Sequence, residues 1–320
     1  MEPTVGEQHS KLNQVGKGER RYQLRPRIKI IVGWIGLMAT LPATLCFGSP
    51  LPKPARDVED RSAAQAEVPF QFLNDNLVIV KVTVGAVKSV NMILDTGTNP
   101  SAISEKLAER LKLPAKTEAL QTLNGTIQTR SLTVPSIQIG PLEAHPIRVL
   151  VLDLSFMERT LGISLGGIVG LDILRTGSFT IDYRRKKIVF GSMAANKNVV
   201  RFETREPFLT VKATVQGQQV LLLVDSGTWG LLLYRNRLQT TPEQVRFDSN
   251  ASISSPGGMT HVGWFRVGVS LGKDSLGARN VAIADMDSDP QYDFDGLLGF
   301  ASMGFQKVSF DFENGLFGWE

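Results

Sequence analysis

The chain has 320 residues, 42% of them hydrophobic, which is enough to bury one large core or two modest ones. Its formal charge of +4 lies entirely in residues 1–49, where seven Lys or Arg face three acids; the remainder balances 28 basic against 28 acidic residues. A balanced body without a binding motif for DNA or RNA excludes a nucleic-acid partner, and a single cysteine, Cys46, excludes a disulfide framework.

Taken in chain order, the basic stretch Arg20-Arg21-Tyr22-Gln23-Leu24-Arg25-Pro26-Arg27 precedes an apolar run over 30–47. That order predicts an export signal or a membrane-anchor helix within 1–49, with cleavage after Gly48 or retention both open. The body is therefore expected outside the cytoplasm, periplasmic, extracellular or anchored, touching membrane only through this segment. Residues 50–69 carry Pro50, Pro52 and Pro54 with no hydrophobic period, and read as a linker. Lys53, Arg56 and Arg61 leave open a second reading, a pro-segment shielding a site in the body.

From about Phe70 the segments are short, rich in β-branched residues and bounded by glycine, which predicts a mostly β body. An alternating run over 77–84 turns at Gly85 into the apolar 90–94, and a run over 209–215 turns at Gly217 into 220–224. Each reads as a hairpin that delivers an apolar strand to an aspartate. The one clear helix is predicted over 104–111, with Ser104 as its N-cap. Beyond it come short strands at 137–139, 149–152, 267–269 and 281–284.

These segments repeat in register. Leu94-Asp95-Thr96-Gly97-Thr98 recurs as Val224-Asp225-Ser226-Gly227-Thr228, 130 positions on. Gly166-Gly167-Ile168-Val169-Gly170 recurs as Asp295-Gly296-Leu297-Leu298-Gly299, and Phe179-Thr180-Ile181-Asp182 as Val308-Ser309-Phe310-Asp311, both at 129. Three landmarks holding one register predict two similar halves, 70–195 and 196–320. A lone Asp-Thr-Gly would be an ordinary turn; a matched pair with matched glycines downstream is not.

On these motifs the chain resembles the aspartic peptidases, and in the size of each half it resembles two retropepsin-like units fused in tandem. The resemblance covers roughly 70–320. It implies an all-β fold of two β-barrel halves closing into an intramolecular pseudodimer, monomeric in chain count, behind the N-terminal signal or anchor helix. It implies an aspartic-type endopeptidase acting on polypeptides, with Asp95 and Asp225 as the catalytic pair and neither cofactor nor metal. Thr96, Gly97, Thr98, Ser226, Gly227 and Thr228 would support the site, Thr96 and Ser226 by cross-bracing the halves. Two carboxyls on a pseudo-twofold axis share one proton, so one serves as base toward water and the other as acid. Hydrogen bonds from Thr98 and Thr228 to the carboxylates would favour an acidic optimum.

A cover over the cleft is expected from glycine-tipped hairpins, with Gly125 in Leu123-Asn124-Gly125-Thr126 and Gly258 in Pro256-Gly257-Gly258-Met259 as flap candidates. His145 and His261 have no third ligand type beside them and read as surface residues. Asp182 and Asp311 are expected to open turns, and Arg184-Arg185-Lys186-Lys187 to form a solvated hairpin tip. The rival reading from another class is a non-catalytic peptide-binding or assembly module on the same fold.

Overall fold

The computed structural model describes residues 66–122, 125–191, 196–238, 246–255, 258–284 and 293–320, and the backbone of Ile30–Val32 and Met38–Ala39. Those last two stretches fall inside the apolar run predicted as a helix, and both are extended. Ile30–Val32 runs parallel to Arg246–Ser255, and Met38–Ala39 antiparallel to Ala115–Thr122. The rest of the leader, and the linker and pro-segment readings up to residue 65, lie outside the described residues. Among the described residues no helix is long and apolar enough to cross a membrane.

The described chain is mostly β. The first strand of the body, Glu67–Leu73, begins three residues before its expected start, because Glu67, Val68 and Pro69 pair with Val189, Ile188 and Lys187. Leu77–Val84 and Val87–Leu94 follow as an antiparallel pair. The strand Gly167–Val169 then lies parallel to Val87–Leu94, with Val169 opposite Leu94, and antiparallel to Ala102–Ser104. Ile147–Leu152, Gly125–Val134 and Ala115–Thr122 complete the row outward.

The same row recurs further along the chain. Phe208–Val215 and Gln218–Val224 pair antiparallel, and Gly296–Leu298 lies parallel to the latter with Leu298 opposite Val224. Leu231–Tyr234, Asp274–Ala284, Gly258–Leu271 and Arg246–Ser255 follow in order. The sequence reading separated a flap segment from a later strand at 267–269. Here they are one 14-residue strand, Gly258–Leu271. In the first row the counterpart is broken at Pro135, which has no N–H to give a ladder, into Gly125–Val134 and Ile137–Ile139.

Alternation within the inner strands feeds two cores at once. Val78, Val80, Val82 and Val84 point into the large shared core, while Leu77 and Ile79 enter a smaller one on the other face. In the second row Leu209, Val211, Ala213 and Val215 join the large core and Phe208 a third cluster. Each such buried aliphatic side chain contributes about 1.5–3 kcal/mol relative to exposure, so a one-residue slip of register would reverse both faces.

The sheet of the first row continues past Glu67–Leu73 into strands drawn from both parts of the chain, in the order Asn198–Arg201, Leu316–Trp319, Lys307–Asp311, Phe179–Asp182, Lys187–Phe190, Glu67–Leu73. At its centre Phe179–Asp182 and Lys307–Asp311 run antiparallel. Phe179 stacks on Phe310 at 4.9 Å between ring centroids, and the Thr180 and Ser309 hydroxyls meet at 2.7 Å. Asp182 and Asp311 end these strands and accept from the turn N–H groups of Arg185 and Asn314. The basic run sits in the first of those turns, with Arg184 and Arg185 exposed.

The predicted helix forms as Glu105–Leu111. The Ser104 hydroxyl accepts from Leu107 N at 3.3 Å, and Lys112 closes the helix in the left-handed region at φ 51°.

Candidate active site

Each Asp-hydroxyl-Gly motif begins where an inner strand ends. Asp95 N donates to Val169 O and Asp225 N to Leu298 O, both at 3.0 Å, so the strand carrying the downstream glycine fixes the depth of each aspartate. The chain then turns back on its own carboxylate. Gly97 N donates to Asp95 Oδ1 at 2.8 Å and Thr98 Oγ1 to Asp95 Oδ2 at 2.7 Å. In the second motif Gly227 N and Thr228 N reach Asp225 Oδ1 at 2.8 and 3.0 Å, and Thr228 Oγ1 reaches Asp225 Oδ2 at 2.7 Å.

The two loops meet. The carboxyls of Asp95 and Asp225 each lie against the other loop's glycine, close enough for the charge of Asp95 to act on Asp225, and both residues are fully buried. A Cβ placed on Gly97 would stand 2.5 Å from Asp225 Cγ, and one on Gly227 would stand 2.8 Å from Asp95 Oδ2. No other residue type fits either position, because any side chain would occupy the space of the opposite carboxyl.

Behind the pair, Thr96 and Ser226 exchange two hydrogen bonds, and each hydroxyl adds one more to the opposite strand. Thr96 N donates to Ser226 Oγ at 3.0 Å and Ser226 N to Thr96 Oγ1 at 3.0 Å, while Thr96 Oγ1 donates to Val224 O at 2.8 Å and Ser226 Oγ to Leu94 O at 3.0 Å. Each hydroxyl thus accepts from one loop and donates to the strand behind it, which leaves no rotational freedom in either.

Burial pushes the Asp95 carboxyl above its ordinary value, against the hydrogen bonds from Thr98 and Gly97. Asp225 is pushed well above, by burial first and then by the charge of Asp95. The sequence reading weighted the threonine hydroxyls as the deciding influence; they are in place, but desolvation outweighs them.

Of the flap candidates, Gly125 pairs with Thr122 at the closed end of the hairpin Ala115–Thr122 and Gly125–Val134. Gly258 likewise pairs with Ser255 at the end of Arg246–Ser255 and Gly258–Leu271. The tip residues 123–124 and 256–257 lie outside the described residues. His145 and His261 are exposed.

One contact at the site was not legible in the sequence. Asn76 is buried, and its Nδ2 donates to Gly227 O at 3.1 Å across 151 residues. In sequence it is the last of Asn74-Asp75-Asn76, indistinguishable from ordinary turn chemistry.

Against this geometry, a family model described as aspartyl protease matches residues 80–173, from the first inner hairpin through Asp95 to helix Leu171–Leu174. The match supports an aspartyl protease family and an aspartyl protease-like domain; Asp225 lies beyond the matched range. No curated protein matches the chain.

Proposed function

We propose that this protein is an aspartic-type endopeptidase with one active site shared by two retropepsin-like halves of a single chain. The halves are 70–195, extended back to Glu67, and 196–320. The observation that carries the reading is the meeting of two like loops, with the buried carboxyls of Asp95 and Asp225 each against the other loop's glycine.

Two neighbouring carboxyls in a buried site cannot both ionise at modest cost, so between their two titration steps the pair holds one proton. The ionised member takes a proton from a water placed between them, and that water attacks the scissile carbonyl. The protonated member donates to the developing oxyanion and then passes a proton to the departing amine. Because the loops are alike, neither role is permanent to Asp95 or Asp225. Backbone and hydroxyl donors from Gly97, Thr98, Gly227 and Thr228 hold both carboxyls before substrate arrives, so little reorganisation is left for the chemical step.

The Gly125 and Gly258 hairpins are proposed as the covers that close on an extended polypeptide. The leader 1–49 is proposed to export the body or to tether it to a membrane.

The test is cleavage of an unfolded protein substrate by the full-length chain. Hydrolysis on the acid side of neutrality, blocked by a pepstatin-type inhibitor, is the expected result. A folded chain that neither cleaves nor binds the inhibitor at any pH from 3 to 7 contradicts it and favours the non-catalytic peptide-binding module.

A further inference from the structure

The two loops are alike at the carboxyls but not in what clasps them from outside. In the first, residues Thr98 to Ser101 are sewn to Gly170, Leu171 and Asp172 by four hydrogen bonds. Leu171 N donates to Thr98 O at 2.7 Å, Gly170 N to Ser101 Oγ at 2.8 Å, Ser101 N to Asp172 Oδ2 at 2.9 Å and Ser101 Oγ to Asp172 Oδ1 at 2.5 Å. Ser101 is fully buried. Thr98, at the near end of this seam, is the residue whose hydroxyl binds Asp95.

In the second loop the register places Leu231 where Ser101 stands and Ala301 where Asp172 stands. There Gly299 N donates to Gly230 O at 3.0 Å and Ser302 N to Trp229 O at 2.9 Å, and neither Leu231 nor Ala301 has a polar side chain to form the clasp that Ser101 and Asp172 make. A carboxylate that accepts from a buried hydroxyl and a backbone N–H is a stronger and more directional clasp than backbone contact between apolar residues.

We propose that Asp172, acting through Ser101, is a positioning residue for the Asp95 loop alone, so that the two members of the pair are held by unequal clasps. The proposal rests on the peptidase reading for its catalytic consequence but not for its geometry. Asp172 also accepts from Ile173 N at 3.0 Å; burial pushes its carboxyl above the ordinary value, against the bonds from Ser101 and Ile173 and the charge of Arg175, which caps the same helix and pairs with Glu206. Loss of the clasp frees Thr98 and Gly97 to drift from the Asp95 carboxylate. Their bonds favour its charged form, so Asp95 should then titrate higher while Asp225, held by its own loop, stays put.

The experiment follows the Asp carboxyl carbons by NMR across pH in the full-length parent and in Ser101→Ala, which removes the relay without changing the charge count. A rise of the step assigned to Asp95 by about half a unit or more, with a smaller movement at Asp225, is expected. In parallel, turnover is measured per inhibitor-titrated site for Ser101→Ala, Asp172→Asn and the double variant. A roughly tenfold fall in kcat with KM within about threefold, and a double variant no worse than the weaker single, is expected of groups acting as one unit. An Asp95 step that does not rise, an equal rise at Asp225, or an unchanged kcat per titrated site in a cleaving parent each overturns the proposal. If Asp172→Asn does not fold, Ser101→Ala decides alone. If the parent does not cleave, the peptidase reading falls and the titration still decides whether the clasp positions Asp95.

Discussion

Thr96 and Ser226, 130 residues apart, each accept a hydrogen bond from the other's backbone N–H through a side-chain hydroxyl that also donates to the opposite strand. The relationship makes the pair a joint: neither loop can move without breaking bonds in both. Ser226→Ala removes two of the four bonds, and Thr96→Val removes two while keeping shape. Each should cost about 1–3 kcal/mol in denaturant unfolding, with the double variant costing clearly less than the sum. Simple additivity would show that the bonds do not act together.

Gly97→Ala and Gly227→Ala put a methyl group within 2.5 Å of Asp225 Cγ and 2.8 Å of Asp95 Oδ2. Separating the carboxyls is the only relief, so both variants should lose about 2 kcal/mol or more and at least 100-fold in kcat/KM. A folded, active Gly97→Ala protein would mean that the loops do not meet as closely as described.

The raised Asp225 carboxyl makes a statement about stability. Its folded form holds the proton more tightly than the unfolded chain, so the native state loses stability as pH rises from the ordinary aspartate value through the raised one, and is favoured below that window. Asp225→Asn keeps an acceptor for Gly227 N and Thr228 N and can donate to Asp95. It should therefore unfold at higher temperature than the parent at pH 7, by a few degrees, with the gain shrinking toward pH 3. A thermal-melt series on both proteins across pH checks the shrinking gain; equal gain at both pH values would locate the effect elsewhere.

Asn76→Ala leaves Gly227 O without its buried side-chain donor. About 1–3 kcal/mol of stability and a several-fold fall in kcat are expected, since Gly227 also donates to Asp225. Turnover and stability both unchanged would reduce Asn76 to turn chemistry.

Much of this architecture was legible because the chain says it twice. The hairpins leading to Asp95 and Asp225 and the strands carrying Gly170 and Gly299 stand where the repeat put them, since an apolar run bounded by glycine has few other ways to be buried. What the repeat hides is its own asymmetry. Ser101 opposite Leu231 and Asp172 opposite Ala301 read as ordinary drift between halves until the fold places the two polar members against each other. Pro135 shows why Gly125–Val134 stops, but nothing in the second half announced that Gly258–Leu271 would run on for 14 residues. Asn76 needed tertiary structure outright, because its partner is 151 residues away.

The most direct measurement is cleavage of an unfolded protein by full-length Asp95→Asn and Asp225→Asn chains, assayed singly and mixed, beside the parent. A site built from both aspartates of one chain predicts an active parent, at least a 1000-fold loss in either variant, and no recovery on mixing. Substantial activity in either variant, or activity restored by the mixture, would contradict a pair shared within one chain.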